Sequence, residues 1–318
     1  MLLNITYVDY CVMSYFNLQD HWDEYQVVLS FLVSNTMSLL LWYILYMRRK
    51  TMTKLLEDMS VTCDGFLVIQ RKETRMINSA VFFCVICVPL AYSTTSIYLI
   101  NYHDKSNDYY AFYTYGWKVQ NLTLSINVYL FFKNLTTTLL DPVFISIITF
   151  VYCMMCCRCC ELLGDCSRRT LKLLRSECLP SRRSLLNVMK EYSRIIQLLE
   201  RFQSAFSLPS FLLTMVGSTS SFTILASALH YTPEEVTAPV IAENTFVFLT
   251  SAFSLIGVIA CAAQVPIAMN TVKTYLQKLY EKILWCDDDI KFNESLILLL
   301  NQLKERPSVI LSGCEVDQ

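Results

Sequence analysis

The sequence predicts an all-α protein, a polytopic membrane helix bundle with cytoplasmic helical extensions. Three observations lead there. Of 318 residues, 54% are hydrophobic and only 17% charged, against about 25% charged in an ordinary soluble domain. Five stretches are nearly free of charge and come close to the roughly 20 residues that a helix needs to cross a bilayer: Val27–Met47, Ile77–Ile100, Asp141–Cys157, Ser207–Leu229 and Ala242–Gln264. Finally, Lys and Arg concentrate in alternate connections between these stretches. A soluble helical protein would instead alternate apolar stripes with charge along every helix.

The distribution of positive charge sets the orientation. Arg48, Arg49, Lys50, Lys54, Arg71, Lys72 and Arg75 follow the first stretch, ten more lie between Arg158 and Arg201, and six between Lys273 and Arg306. Only Lys105, Lys118 and Lys133 fall elsewhere. Cytoplasmic loops carry the excess of Lys and Arg, so the three rich segments are expected inside and the N-terminus outside. Residues 1–25 lack the basic start and apolar run of a secretory leader. N-x-[S/T] acceptors at Asn4, Asn121 and Asn134 lie on the side assigned as extracellular and are expected to carry glycans, whereas Asn293 is expected to be cytoplasmic and bare. The expected location is the plasma membrane, crossed several times.

The elements then read in order. The first span, Val27–Met47, ends in a basic run, and the second ends at Ile100. Residues 101–135 form an extracellular loop rich in Tyr and Asn, including Tyr109, Tyr110, Tyr113, Tyr115 and Trp117; such aromatics commonly rest at headgroup level. Asp141-Pro142 is expected to open the third span, with Asp as N-cap and Pro at the first helical position, where no N–H is needed. That span leaves the membrane through "VYCMMCCRCCELLGDC", six cysteines in residues 151–166. The cytoplasm is reducing, which disfavours a disulfide knot. Zinc would need four convergent ligands, whereas a continuous helix turns adjacent cysteines to different faces, and His21, His103 and His230 are all on the other side. Two readings stay open for Cys153, Cys156, Cys157, Cys159 and Cys160: reversible palmitoylation, or use of Cys as a small apolar residue at the lipid boundary.

The cytoplasmic extension, residues 158–206, carries a stripe: Leu185, Met189, Tyr192, Ile196, Leu199, Phe202 and Phe206 recur at spacings of three and four. A helix from Ser181 to Phe206 is expected to run on into the fourth span and to pack on other cytoplasmic helices. In the tail, residues 265–318, Val272, Leu276, Leu279 and Ile283 form a shorter matching stripe. "SLILLLNQL" at 295–303 is too short to span. No phosphate-binding G-x-x-x-x-G-K-[S/T], zinc-binding H-E-x-x-H or nucleophilic G-x-S-x-G is present, and the spans hold almost no ionisable residue to suggest a proton relay. Neither enzymatic activity nor a cofactor, resident metal or nucleic-acid partner is expected.

The chain closes on "ERPSVILSGCEVDQ". With the span pattern, the long basic third connection, the helix ending "FQSAFSLPSFLL" and the low-charge "YTPEEVTAP", it resembles the arthropod gustatory-receptor-like chemoreceptors of the insect gustatory and odorant receptor superfamily. Pro307, Val309, Leu311 and Ser312 stand where that family has a P-x-V-x-L-x-small stretch. The resemblance covers most of 25–318 at profile level. It implies a chemosensory receptor subunit of a tetrameric ligand-gated cation channel, gated by a tastant, odorant or other small organic. The ligand would sit among the outer halves of the spans, where Tyr92, Thr95, Phe144, Phe222, Phe246 and Phe248 are candidates. Each also fits plain helix packing, since aromatics dominate apolar interiors. Subunits would anchor as homo- or hetero-tetramers through Ser181–Phe206 and Val272–Gln302.

Two departures stand out. The family has seven spans with the N-terminus inside, and its last span carries a T-Y…Q-F signature. Thr274-Tyr275 is followed by Lys278 and Lys282 and does not stand in for it. The five spans would match the family's second to sixth, so the expectation is a truncated product that does not conduct as written. Two other classes compete. A G-protein-coupled receptor would suit the outside N-terminus, but the extracellular cysteine pair, a D-R-Y-like turn and N-P-x-x-Y are missing. A transporter or an integral-membrane enzyme would show broken Gly- or Pro-rich helices or intramembrane acids and histidines, and the spans show neither.

Overall fold

The structure is a computed structural model, and it describes residues 8–9, 11–12, 25–64, 83–102, 124–176, 181–230 and 238–285. Among them there is no strand. The helices are α1 (Tyr25–Asp64), α2 (Val88–Tyr102), α3 (Leu124–Thr138), α4 (Phe144–Arg175), α5 (Arg182–His230) and α6 (Ala238–Trp285). Wider π-helical turns, Phe83–Cys87 and Leu139–Val143, precede α2 and α4. By length and composition Phe144–Arg175, Arg183–Ala226 and Asn244–Ile283 can each cross a membrane. The chain is therefore an all-helical protein whose long apolar helices suit a membrane.

Asp141-Pro142 does not start a helix. Both residues lie inside the π turn that joins α3 to α4, so helical structure is continuous from Leu124 to Arg175. Proline lacks the N–H that would close an α-turn, and a π turn is a common way for a helix to accommodate such an interruption. Ser146 Oγ donates to the Pro142 carbonyl at 2.7 Å and steadies the turn. The same continuity removes part of the expected loop 101–135. Leu124–Thr138 carries one charge, Lys133, among mostly apolar residues, and it folds as α3. The glycosylation candidates Asn4 and Asn121, the tail motif 307–312 and the segment 295–303 lie outside the described residues.

The chain divides into two compact units. The first comprises Met1–Met47, Val68–Phe150 and Leu212–Gly257. Within it α2 packs on α3. Gly217 of α5 brings that helix against α6, since a Cβ placed there would meet Leu255 Cβ and the Ser251 carbonyl, each at 3.4 Å. Small residues that let two helix backbones approach are what bilayer helices use for packing.

The second unit comprises Arg48–Leu67, Val151–Phe211 and Val258–Gln318. α5 is its centre. Ser181 caps this helix, its Oγ accepting from the Ser184 N–H at 3.3 Å. The stripe Leu185, Met189, Tyr192, Ile196, Leu199, Phe202 and Phe206 is buried throughout, and so is Val272, Leu276, Leu279 and Ile283 of α6. Tyr152 of α4 stacks on Phe202 with centroids 5.6 Å apart and leans on Phe206 at 5.7 Å. Ion pairs Arg169–Glu191 and Arg201–Asp58 lie at its partly exposed margin, where such pairs contribute about 0–1 kcal/mol each. Lys282 Nζ donates to the carbonyls of Leu174 and Ser176 at the end of α4. A cation there satisfies carbonyls that have no partner inside the helix and complements its dipole.

Candidate functional site

Of the six aromatic and hydroxyl residues expected to line a ligand pocket, the structure brings two together. Tyr92 of α2 stacks on Phe246 of α6 in the first unit, with centroids 4.6 Å apart and planes 20° from parallel. Both are half-buried, and so is Phe144. Thr95 and Phe248 are exposed, and Phe222 is 71% exposed. Phe222 and Phe248 therefore face the surroundings of the chain rather than its interior.

One residue next to Tyr92 in the chain carries no mark in the sequence. Ser93 follows Tyr92, about 100° further round the helix, and is fully buried. Its Oγ has no hydrogen-bond partner among the described residues, and neither do Thr149 Oγ1 of α4 and Asn127 Oδ1 of α3. Other hydroxyls of this unit close on their own helices: Thr250 donates to the Phe246 carbonyl at 2.9 Å, Ser221 to Gly217 at 2.8 Å and Thr223 to Thr219 at 2.9 Å. A hydroxyl satisfied on its own backbone costs little in an apolar medium, whereas an unsatisfied one costs about 1–3 kcal/mol. Ser93, Thr149 and Asn127 are thus the polar groups of this unit whose buried side-chain oxygens have no hydrogen-bond partner among the described residues. No residue type or spacing marks them in the sequence, because Ser and Thr are scattered through every span.

At the margin of the first unit, Lys133 Nζ lies 3.3 Å from Asp9 Oδ2 and 5.8 Å from the centre of the Tyr129 ring. The Lys133 side chain is only 7% exposed. Burial lowers its pKa, and Asp9 opposes that shift. Burial, and then Asp9, raise that of Tyr129. Asn134 is buried on the same helix, and Thr138 lies one turn on, its Oγ1 donating to the Asn134 carbonyl at 2.8 Å. An amide so enclosed is poorly placed to receive a glycan.

Comparison with protein-family models gives no match, and comparison with curated proteins gives none either. Function has to be argued from the residues themselves.

The cysteines of α4 separate into two faces in the second unit. Cys156, Cys159 and Cys166 are buried, on the side that also holds Tyr152, Leu163 and Thr170. Cys157 is exposed, and Cys153 and Cys160 are partly so. All the described cysteines are free thiols, and among the described residues no three His, Cys, Asp or Glu side chains are grouped to hold a metal ion. The helix period of 3.6 explains the split, since i, i+3 and i+10 return to one face and i+1, i+4 to the next.

Proposed function

We propose that the chain is a chemosensory receptor subunit that takes a small organic ligand, a tastant or odorant, among the helices of its first unit. The observations that carry this are the Tyr92–Phe246 stack and the buried, unpartnered hydroxyl of Ser93, the residue after Tyr92 on α2. Small-molecule sites combine mainly apolar and aromatic walls with a few polar groups that fix orientation. The ligand this favours has a flat or apolar body for the rings and one hydrogen-bonding group for Ser93. The wider frame rests on the charge pattern and on the resemblance: five spans, an outside N-terminus and a place in the plasma membrane. Acyl chains, if carried, would attach at Cys153, Cys157 and Cys160 more readily than at the enclosed Cys156 and Cys159. Assembly as a tetramer would have to use the outward residues of α5 and α6, because both apolar stripes are already covered within one chain.

The test is a thermal-shift screen of the purified chain in nanodiscs against sugars, bitter compounds and aromatic odorants. At least one compound should raise the melting temperature. Tyr92→Ala and Ser93→Ala should each weaken its potency about tenfold, which corresponds to about 1.4 kcal/mol, while Phe222→Ala leaves it unchanged. Full potency in both of the first two variants, or no stabilising compound, would overturn the proposal.

A further inference from the structure

The basic run that follows the first apolar stretch divides by the direction of its side chains. Arg48 is turned inward. Its Nη1 donates to the carbonyls of Ser204 and Ala205 on α5, at 2.5 and 3.1 Å. Ala205 stands four residues before Pro209, which lies inside that helix and has no N–H to offer the Ala205 carbonyl. Arg48 supplies the missing donor. Its charge is thereby committed to the fold.

Arg49, Lys50 and Lys54 are turned outward. All three are exposed, and with Thr53 and Glu57 they line an open recess of about 500 Å³ on the side of α1. Lys50, Lys54 and Glu57 recur at spacings of four and three, and Arg49 and Thr53 at four, so helix geometry alone collects them. Among the described residues that line it, three cations stand against one carboxylate, a formal net charge of +2. Elsewhere in this unit Arg158, Arg169 and Arg201 are each paired with a carboxylate. Lys50 and Lys54 have none among the described residues. The Thr53 hydroxyl donates to the Arg49 carbonyl at 2.9 Å, so its proton is spent and the cations must supply the recognition.

We propose that this recess binds the headgroup of an anionic membrane phospholipid bearing phosphate monoesters on an inositol ring. A net charge of +2 among the described lining residues suits a headgroup with more than one negative charge, such as a phosphorylated ring, better than one with a single charge. A lipid is favoured over a free anion by position in the chain. The run starts at the residue after Met47, where the apolar stretch ends, and Trp42, Tyr43 and Tyr46 precede it as interfacial aromatics do. Clusters of Lys and Arg just cytoplasmic of a span hold anionic lipids in this way. The proposal rests on residues 27–47 being a span with its basic end inside, but not on any ligand in the first unit.

The test uses the full chain in detergent, where binding does not depend on orientation, with short-chain dioctanoyl phosphatidylinositol bisphosphate as the probe. The lipid should bind saturably, and dioctanoyl phosphatidylcholine should not compete. Each cation near such a headgroup contributes about 1 kcal/mol, roughly fivefold, so Lys50→Gln with Lys54→Gln should weaken binding about 25-fold. The pair Lys50→Arg and Lys54→Arg should stay within about threefold of the original chain, since point-charge attraction survives the exchange. Lys190→Gln, an exposed cation of α5, should change nothing. Equal binding by the Gln pair and the original chain, or competition by phosphatidylcholine, would overturn the site. Soluble inositol trisphosphate binding as tightly as the lipid would overturn the assignment to a membrane headgroup.

Discussion

Among the described residues of the second unit the buried side chains are Leu55, Tyr152, Leu163, Leu185, Met189, Ile196, Phe202 and others of their kind, with only Ser167, Thr170 and Ser210 among them as polar company. In the first unit Ser34, Ser38, Ser93, Asn134, Thr138, Thr149, Ser220, Thr223, Ser251 and Ser254 are buried, while Phe83, Tyr98, Phe132, Phe222, Phe253 and Ile256 are exposed. Charge follows the same division. Among the described residues the first unit has one Lys or Arg, Lys133. A protein surrounded by water hides apolar surface because that surface orders or excludes water. One surrounded by lipid gains nothing by hiding it, and helices there associate through small residues and internal hydrogen bonds. The described residues of the two units thus differ in how much polar surface they bury, and the continuous helices α1, α4, α5 and α6 each contribute residues to both.

The largest expected effect separates the two interiors. Phe202 is fully buried and sits between Tyr152 and Phe206. Phe202→Ala should destabilise the chain by about 3–5 kcal/mol, from lost transfer energy and the cavity left behind. Phe222→Ala deletes the same ring from the outward side of the first unit and should cost less than about 0.5 kcal/mol, as surface changes do. Denaturant titration in detergent micelles measures both. Comparable losses would mean that Phe222 is enclosed and that the inverted polarity of the first unit is wrong.

A smaller effect sharpens the account of the second unit. Arg48→Gln should cost about 1.5–3 kcal/mol, the range for a hydrogen bond to a charged group. The cost arises because the Ala205 carbonyl loses its donor. Pro209→Ala restores a backbone N–H at that point, so in its presence Arg48→Gln should cost less than half as much. A double-mutant cycle measures this coupling. Equal costs in the two backgrounds would show that Arg48 acts as a plain surface cation.

What was legible in the sequence follows the same physics. Both stripes could be read residue by residue, because burial on one side of a helix recurs with its 3.6-residue period. Every one of those eleven positions is buried. The run of α5 from its stripe into the apolar region was legible as well. The Tyr92–Phe246 pairing in the first unit was not: the exposed face of that unit is apolar as well, so aromatic residues give no sign of direction. Phe222 and Phe246 look alike in sequence and end on opposite sides of that distinction. The Asp141-Pro142 pair misled because its N-cap chemistry is real, yet Leu124–Thr138 was apolar enough to form helix before it. Arg48 was read as one of seven equivalent charges. The proline that claims it lies 161 positions away in the chain, and only the fold brings them together.

The smallest expected effect tests the interior of the first unit directly. Ser34 of α1 and Ser220 of α5 are both buried, and their hydroxyls lie 2.8 Å apart, one donating to the other. In water such a pair competes with solvent on each side. Between bilayer helices the competitor is the helix's own carbonyl, which each serine can reach four residues back, as Ser38 does with Ser34 at 3.1 Å. That alternative keeps the gain small, and cycles on hydrogen bonds between membrane helices average about 0.6 kcal/mol. Ser34→Ala and Ser220→Ala should therefore each cost under about 1 kcal/mol, with a coupling of about 0.6 kcal/mol between them. Because the alternative partner is intrahelical, neither variant should shift the salt dependence of unfolding. A coupling of zero would mean that the two hydroxyls do not meet in the bilayer. A coupling of 2 kcal/mol or more, on the order expected only of charge-assisted bonds, would mean that the interior is drier and more tightly closed than small, self-satisfied hydroxyls require.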